Sequence, residues 1–577
     1  MKKARRFLWL LAALPAAGLA FLGVQPAAWL QRLGPDHVGA LNGWVSAGLQ
    51  RAYGASAAPP AAPGALVHVA ISDRSLCTLD ARFLSLAIDT SQLLGGRWWS
   101  AAGKVEVGRG SERVAPLDLS LPALRLLARA LAPAYLRIGG TEADRVEYVF
   151  GPARPASSGR ASSGRAQNEL TLDAARWDAL HEFATGAGLD LFFTINAGPG
   201  ARGARGEWLR SSAEALFAHA REQGQSVSVW ELGNELNAYW FQYGLHEQPS
   251  GAQYAADLLE FRALVREYFP AARVAGPAVA YFPLLGDPLP ERVGFLPEAL
   301  EHGGHALDIL SWHFYPQQSR RCPLATRRAA PGRLLGPAEL DEMARWSQQL
   351  EALRARWAPQ AELWLGETGS AQCGGEPGLS DRYASGLWWL DELGLAAREG
   401  QAVVIRQALI GSDYGLLDAR TLEPRPDYYN SLAWKHWMGP RVLDVQLSSG
   451  NPALRAYAHC SAHERAAAVL LVLNVDPAQA AAFQLEGSVE RMLRFDFSAA
   501  QLDSRELFVN GQRLVLEQGA DAVRWPELRG RVADPSEPLL VPAASYGFFE
   551  LSGPVAAPCR GREPSPSGAP STGNAPG

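Results

Sequence analysis

Short apolar segments alternate with amphipathic stretches from about residue 81 to residue 437. Eight of these segments have the length and apolar content of buried strands: FLSLAID (83–89), AYLRIGG (134–140), LDLFFTINA (189–197), SVSVWELGNE (226–235), ARVAGPAVA (272–280), ALDILSWHFY (306–315), AELWLGE (361–367) and AVVIRQALI (402–410). Between most of them, apolar residues recur at the three- and four-residue spacing of helices, over 172–188, 211–224, 251–268, 337–356 and 380–399. Strands that are apolar along their whole length are typical of parallel sheets covered on both faces.

Eight such repeats predict a closed (β/α)8 barrel, a TIM barrel, over residues 81–439. A doubly wound open sheet is the alternative, but no glycine-rich phosphate loop follows the first strand. The fold class is therefore α/β.

The pattern changes after about residue 440. Alternating segments follow one another, separated by turn residues such as Asn510-Gly511: LRAYAHC, AAAVLLVLNV, AFQLEG, RELFVNGQ and SYGFFELSG. Such alternation predicts a β-sandwich over residues 440–559. The stretch ALVHVAI (65–71) is also strand-like, and we expect residues 65–80 to join this sandwich.

The two ends of the chain have the composition of segments outside the fold. Four basic residues precede an apolar stretch from Phe7 to Val24, so residues 1–24 are either an export signal or an N-terminal membrane anchor. We favour export, to the periplasm or the medium. Residues 25–64 are an unassigned linker, and the tail 560–577, rich in Pro, Gly and Ser, is expected to be disordered.

Composition narrows the class of partner. Apolar residues make up 47% of the chain and the net charge is −5, so a polycationic nucleic-acid-binding protein is excluded. The 18 tryptophans suit a protein that binds sugars, although they also suit a large core. The five cysteines show neither CxxC nor Cys/His spacing, so we predict no metal and no cofactor.

Two glutamates close predicted strands at the functional end of the barrel. Glu235 ends strand four and Glu367 ends strand seven, and catalytic groups of such barrels lie at the carboxyl ends of strands. A single carboxylate there is easily a solvated loop residue, but a pair can hydrolyse glycosides. One, protonated, donates to the leaving oxygen, while the other attacks the anomeric carbon. A gap of about 5 Å gives retention of configuration, and a wider gap gives inversion.

Several motifs resemble those of glycoside hydrolase family 79, the heparanase family, and they keep their order: LRIGGT (136–141), WELGNELN (230–237), LGETGSA (365–371), VVIRQA (403–408) and PDYYNSLAWK (426–435). The resemblance implies a monomeric endo-β-glucuronidase acting on an acidic polysaccharide such as heparan sulfate. An exo-β-glucuronidase acting on chain ends is the alternative. A non-catalytic sugar-binding protein is a third reading, but binding alone does not need both carboxylates.

The resemblance also implies roles for single residues. Glu235 is expected as acid/base and Glu367 as nucleophile, with Asn234 binding the sugar 2-hydroxyl. Asp89 and Thr141 are expected to hold other hydroxyls of the cleaved sugar.

The glucuronate carboxylate is expected to bind Tyr414 and the backbone N–H groups of Cys373 and Gly374, where Cys373 replaces a glycine of mammalian relatives. Cys460 and Cys559 match positions paired in the family. Cys322 and Cys373 follow strands six and seven, whose loops are neighbours, so a second disulfide there is a hypothesis that leaves Cys77 unpaired.

Other residues are expected to support the site. Tyr315 is predicted to donate a hydrogen bond to Glu367, while His313 is either a support or a satisfied buried histidine. Arg137 and Gln407 are further supports.

The loop after strand six carries five arginines and no acidic residue: Arg320, Arg321, Arg327, Arg328 and Arg333. Guanidinium groups beside the barrel mouth could hold the sulfates or carboxylates of a polyanionic chain, with Arg320 and Arg321 nearest. The alternative is a solvated loop.

Overall fold

Eight apolar segments of the chain pair as parallel strands and close into a barrel in the computed structural model. The structure describes residues 66–99, 111–150, 169–281 and 294–560, apart from 326, 449, 520 and 521. In chain order, barrel strands one to eight are Leu84–Asp89, Ala134–Gly139, Leu189–Ile195, Val229–Leu232, Arg273–Tyr281, Ile309–Phe314, Glu362–Thr368 and Val403–Arg406. Each strand lies beside its neighbours in sequence, and the predicted TIM barrel is confirmed.

The barrel is filled rather than open along its axis. Strands one and six are buried along their whole length. Inward-facing side chains form one apolar cluster: Ala87, Tyr135, Phe192, Val229, Ala275, Ile309, Trp364, Val403 and Ile405. The outer faces pack against helices, where the Trp177 and Trp230 rings stack with centroids 6.0 Å apart. Burial on both faces explains why these strands read as continuous apolar runs.

The helices surround the barrel. The longer ones are Pro122–Arg129, Ala174–Gly186, Glu214–Glu222, Gly251–Tyr268, Phe295–Gly303, Glu342–Trp357, Tyr383–Arg398 and Pro426–Trp437, and the short ones are Thr90–Leu94, Tyr239–Gln242, Pro331–Leu334 and Pro337–Leu340. Single 3₁₀ turns or short 3₁₀ helices occur at Thr141–Arg145, Pro199–Ala201, Arg210–Ser212, Leu236–Ala238, Leu245–Glu247, Gly304–Ala306 and Pro554–Arg560. Asp173 and Ser250 accept hydrogen bonds from backbone N–H groups in the first turns of two of the longer helices.

Three of the longer helices were not predicted: Pro122–Arg129, Phe295–Gly303 and Pro426–Trp437. The last is buried on nearly all sides, so its sequence lacks the one-sided apolar spacing of a surface helix. Proline at its first turn is compatible with a helix start.

Three small sheets lie outside the barrel. An antiparallel hairpin pairs Gly96–Trp99 with Ser111–Val114, and a parallel pair joins Val146–Val149 to Leu170–Asp173. A third pair joins Glu517–Gln518 to Val523–Arg524. The first of these follows strand one of the barrel and borders the mouth, so we call it the mouth hairpin.

The C-terminal region is all-β, as predicted. Apart from the separate pair Glu517–Gln518 and Val523–Arg524, its strands form one sheet with Leu66–Thr78. The members of this sheet are Leu66–Thr78, Met438–Leu447, Leu454–Ser461, Ala468–Asn474, Ala481–Leu485, Arg491–Ser498, Phe508–Val509, Gln512–Arg513, Arg531–Val532, Leu539–Val541 and Ser545–Ser552. Leu66–Thr78 pairs with both Met438–Leu447 and Ala481–Leu485, so the strand expected within 65–80 lies in this sheet. The sheet folds over on itself, and its two layers enclose a separate apolar cluster.

The outer face of this sheet packs against the barrel helices. The ring of Trp437, at the end of the last helix, stacks on Phe548 with centroids 4.6 Å apart. Buried Asp391, on the helix Tyr383–Arg398, accepts hydrogen bonds from Tyr457 at 2.6 Å and from Arg455 at 2.9 Å. Apolar and charged contacts together therefore fix the sheet against one side of the barrel.

Both predicted disulfides are present. Cys460 is bonded to Cys559, and Cys322 to Cys373, while Cys77 is free. Disulfides fit a protein that works in an oxidising compartment. The expectations for 1–24 and 25–64, and for the tail beyond residue 560, concern residues outside the described ranges. Within those ranges, no helix has both the length and the apolar character needed to cross a membrane.

The disulfide in the C-terminal region is expected to stabilise the fold. It closes a loop with a sequence separation of 99 residues, and removing a constraint of this kind typically costs about 2–5 kcal/mol. We expect the double variant Cys460→Ala/Cys559→Ala to unfold at a clearly lower denaturant concentration than the wild type. Cys77→Ala is the matched control, and equal midpoints for the double variant and this control would refute the expectation.

Candidate active site

The two catalytic candidates leave their strands in different ways. Glu367 is the penultimate residue of strand seven, but Glu235 lies beyond strand four, which ends at Leu232. The prediction that strand four runs to Glu235 is therefore wrong. Gly233 and Glu235 have left-handed backbone conformations, with φ of 75° and 52°. The Glu235 N–H donates to Ala278 O at 2.9 Å, which fixes this turn over the neighbouring strand.

The side chains of Glu235 and Glu367 meet with His313 at the carboxyl ends of the strands. One oxygen of each carboxyl group and one ring nitrogen of His313 all lie within 4.8 Å of one another. Both carboxyl groups are buried but line a cavity of about 340 Å³. A narrow gap with access to a cavity is the arrangement in which both can reach one sugar carbon.

Glu367 is held by two donors. Tyr315 OH donates to Oε1 at 2.7 Å, and Arg137 Nη1 donates to Oε2 at 2.9 Å. A hydroxyl and a guanidinium stabilise the ionised form of a carboxyl group. These bonds also occupy both oxygens, so a metal ion held by these groups would compete with a buried cation, and we assign this cluster no metal.

Arg137 connects Glu367 to the rest of the site. It donates to Glu231 Oε2 from Nε at 3.0 Å and from Nη2 at 2.8 Å, and to Asn234 Oδ1 at 2.9 Å. Glu231 also accepts from Thr194 and Ser311, at 2.8 and 2.7 Å. Every one of these groups is buried, so the network holds Asn234 and Glu367 in fixed orientations.

Glu235 has a different environment. Burial raises its pKa to about 7, although the positive charge of Arg137 opposes the shift. Its Oε1 lies 3.0 Å from His313 Nδ1. Burial lowers the pKa of His313 to about 4, so this ring is neutral near neutral pH. Near neutral pH, Glu235 can therefore hold a proton while Glu367 is paired with Arg137.

Asp89, the last residue of strand one, also lines the cavity. Its Oδ1 accepts from Ser91 N at 2.9 Å and its Oδ2 accepts from Gln407 Nε2 at 3.1 Å. Burial raises the pKa of Asp89 to about 8, with the charge of Glu367 adding to the shift. Gly140 is needed here, because a Cβ at that position would collide with the Asp89 carboxyl group. Near neutral pH, Asp89 is therefore largely protonated and can donate to a ligand.

The segment Cys373–Gly375 has three successive left-handed residues, with φ of 61°, 82° and 83°. The Gly374 carbonyl accepts from Tyr414 N at 3.2 Å, so this segment and Tyr414 lie side by side. A side chain at Gly374 would collide with Trp99. Cys373 is bonded to Cys322, which ties the segment to the loop after strand six.

Five of the predicted binding residues line one cavity with Glu235 and Glu367, namely Asp89, Thr141, Tyr315, Cys373 and Tyr414, and so does Gln407, a predicted support. Asn234 is buried beside it, and its Oδ1 also accepts from Gly140 N at 3.2 Å. Arg137 and His313 lie behind the carboxylates that they contact.

The structure contradicts the predicted grip for Arg321, and it shows Arg320 paired with an acidic side chain. Arg321 is fully buried and pairs with Asp413 and the Gly375 carbonyl. Arg320 pairs with buried Glu376, and its backbone N–H donates to the same carboxylate at 2.9 Å. Each arginine is therefore paired with an acidic side chain of the protein, and these ion pairs anchor the loop.

Several residues of the cavity wall were missed in the sequence, among them Arg97, Trp98, Trp99 and Arg145. Arg145 forms an ion pair with Glu142 at 3.2 Å. The other three lie on the mouth hairpin, in the string GGRWW. Two adjacent tryptophans in a polar stretch were the signal that could have identified them.

Comparisons with known proteins agree with this geometry. The sequence profile described as glycosyl hydrolase family 79, N-terminal domain, matches residues 75–394. Heparanase of Mus musculus is 31% identical over 540 residues, which cover 84% of this chain and 93% of the mouse protein. Heparanase-like protein 1 of Arabidopsis thaliana is 29% identical over 416 residues, covering 70% of this chain and 72% of the plant protein.

The fold is also found in solved structures of other glycosidases. The GH51 arabinofuranosidase from Xanthomonas axonopodis pv. citri superposes with a TM-score of 0.58 at 15% identity, covering 84% of this chain and 100% of that chain. Similarity at this level concerns the fold alone. The profile match over more than half of the chain and the extent of the heparanase similarity together show that the chain belongs to glycoside hydrolase family 79.

Proposed function

We propose that this protein is a retaining β-glucuronidase that cleaves heparan sulfate-type glycosaminoglycan chains internally. The observation that carries the proposal is the pair of carboxyl groups. One oxygen of Glu235 and one of Glu367 lie within 4.8 Å of each other, and Glu367 contacts a guanidinium group whereas Glu235 contacts a histidine ring. Retaining glycosidases hold their two carboxyl groups about 5–5.5 Å apart, whereas inverting enzymes need about 6.5–9.5 Å to admit a water molecule. The narrow gap therefore favours direct attack by one carboxylate.

In the first step, Glu367 attacks the anomeric carbon while Glu235 gives its proton to the glycosidic oxygen. The bond from carbon to the leaving oxygen breaks, and a glycosyl ester forms on Glu367. Arg137 and Tyr315 hold the attacking carboxylate in place, since each donates to one of its oxygens. Asn234, whose Oδ1 accepts hydrogen bonds from Arg137 and Gly140 N, is the proposed partner of the 2-hydroxyl.

In the second step, a water molecule replaces the leaving group. Glu235, now ionised, takes a proton from this water, the water oxygen bonds to the anomeric carbon, and Glu367 departs as a carboxylate. His313 is neutral next to Glu235, and its Nδ1 can accept the proton of the acid or donate to the carboxylate, depending on the tautomer. Both protonation states of Glu235 therefore remain accessible during the cycle.

Recognition of glucuronate is assigned to the other side of the cavity. Tyr414 and the backbone of Cys373 and Gly374 are the proposed partners of the sugar carboxylate. Asp89 and Thr141, which line the same cavity, are the proposed partners of ring hydroxyls. Protonated Asp89 supports this assignment, because it can donate to a hydroxyl without repelling the anionic sugar.

Similarity to proteins named heparanase supports a glycosaminoglycan polymer as substrate. The second candidate is an exo-β-glucuronidase acting on chain ends. The exo candidate is favoured by the ion pairs that Arg320 and Arg321 form within the protein, because these pairs leave fewer free charges to hold a long chain. The two candidates share one chemistry and differ only in which linkages reach the carboxyl groups.

Endo action predicts early shortening of the polymer. We expect heparan sulfate incubated with the enzyme to shift to intermediate-sized fragments in size-exclusion chromatography. An exo-enzyme would instead release glucuronate from an aryl β-glucuronide while the polymer keeps its size.

In either case, methanol added to the aryl glucuronide reaction should yield the methyl β-glucuronide, and formation of the α-anomer would refute retention.

Replacing either glutamate should separate the two roles. Glu367→Gln is expected to abolish turnover of all substrates, because no covalent ester can form. Glu235→Gln should lower kcat by about 10²–10⁴ with a poor leaving group, and less with a nitrophenyl group that needs no proton. Exposed Glu527→Gln is the matched control. Both active-site variants should keep the circular-dichroism spectrum of the wild-type fold at the assay temperature, and near-normal polymer cleavage by either would contradict the mechanism.

The pH profile should report Glu235. The reaction needs this carboxyl group protonated, and its pKa is raised to about 7, so activity is lost as pH rises through that value. We expect kcat/KM to fall about tenfold per pH unit above about pH 7. Glu235→Gln, assayed on a nitrophenyl glucuronide, should lack the decline near pH 7 and keep only a later one near pH 8, where Asp89 loses its proton. A wild-type profile that stays flat up to pH 9 would assign the proton donor to another group.

A further inference from the structure

We propose that Arg97 and Arg113 of the mouth hairpin form an outer subsite that binds the sulfate or carboxylate group of a sugar next to the cleaved glucuronate. The inference rests on the proposed function, since it adds a second anion-binding point to the same cavity. It assigns chain recognition to the hairpin after strand one, in place of the loop after strand six.

The first observation is the pairing of like charges. Arg97 and Arg113 are directly opposite each other in the antiparallel register of the hairpin, so their side chains leave the same face. Like charges in this position destabilise a two-stranded ladder. Both residues are exposed, and neither forms an ion pair with a carboxylate among the described residues. An anion bound between the two guanidinium groups would relieve this repulsion.

Arg97 also has spare hydrogen-bonding capacity. Its one hydrogen bond in the described part of the chain is a long one, from Nη2 to Ser111 Oγ at 3.5 Å. Glu142 is near enough for the charge of Arg97 to oppose the rise in its pKa that burial causes, but the Glu142 carboxylate forms its ion pair with Arg145. A planar guanidinium with free donors suits bidentate binding of sulfate or carboxylate.

The second observation is position. Arg97 lines the same cavity as Glu235 and Glu367. Trp99 faces Gly374, at the proposed carboxylate subsite, and packs against the cluster formed around the Cys322–Cys373 disulfide. Arg97 precedes Trp99 by two residues, a spacing of roughly 6.6 Å along a strand. Arg97 therefore lines the cavity at a distance from the proposed carboxylate subsite, and we assign the neighbouring sugar of the chain to this position.

The third observation is that the base of the hairpin is fixed. Trp98 is buried and meets Tyr414 edge to face, with ring centroids 6.2 Å apart. Trp98 and Tyr414 belong to one apolar cluster with Tyr315, which contacts the nucleophile. A charge on this hairpin is therefore held at a set distance from the reacting atoms, as a subsite requires.

The test compares a polymer with a small substrate. We expect Arg97→Gln to raise KM for heparan sulfate about tenfold, and the double variant Arg97→Gln/Arg113→Gln to raise it further. The ratio of kcat/KM for heparan sulfate to kcat/KM for an aryl β-glucuronide should fall at least tenfold. Arg97→Lys should give an intermediate value, because it keeps the charge but not the planar fork. Arg529→Gln, an exposed arginine of the all-β region, is the control.

Binding is measured separately in the Glu367→Gln background, where no turnover interferes. Titration with heparan sulfate oligosaccharides should show Kd rising about tenfold when Arg97→Gln is added, with a weaker dependence on salt. An unchanged Kd, or a substrate ratio within twofold of the wild type, would overturn the subsite while leaving the proposed chemistry intact. Failure of the wild type to hydrolyse either substrate would instead overturn the proposed function itself.

Discussion

The buried guanidinium of Arg137 is the interaction on which the active site depends. It is fully buried and donates to Glu231, Asn234 and Glu367, which come from two other strands or their ends. A buried charge is tolerated only when its partners are close and well oriented, and removing one partner typically costs about 3–5 kcal/mol. The pairing adds little net stability, because desolvation offsets most of the attraction. The pairing instead fixes the geometry. If strand two moved relative to strands four and seven, the buried charge of Arg137 would lose its partners.

The same burial gives the two glutamates different properties. Glu367 receives one hydrogen bond from a guanidinium group and one from a hydroxyl group. Glu235 has no such compensation at close range, and burial raises its pKa to about 7. Two carboxyl groups within 4.8 Å of each other therefore differ because one lies against Arg137 and the other against neutral His313. Division of labour between an acid and a nucleophile requires this difference.

The sequence predicted the barrel well because each strand is buried on both faces and therefore reads as an apolar run. Strand four was extended too far, because left-handed conformations at Gly233 and Glu235 are not visible in a hydrophobic pattern. The catalytic pair was predictable from its place at strand ends, whereas the fate of the arginine loop was not. Arg320 and Arg321 find their acidic partners in segments more than fifty residues away, so only the folded chain shows that their charges are already matched.

The cavity is built in two layers that depend on different parts of the sequence. The inner layer consists of barrel strands and their buried ion pairs, which fix the reacting groups. The outer layer consists of the mouth hairpin and the loop segment at Cys373, joined where Trp99 lies against Gly374 and the disulfide cluster. Arg97 belongs to the outer layer and contacts none of the inner network among the described residues. A change at Arg97 therefore leaves the buried ion pairs that hold the two glutamates untouched, whereas a change at Trp98 would reach Tyr315 and, through it, Glu367.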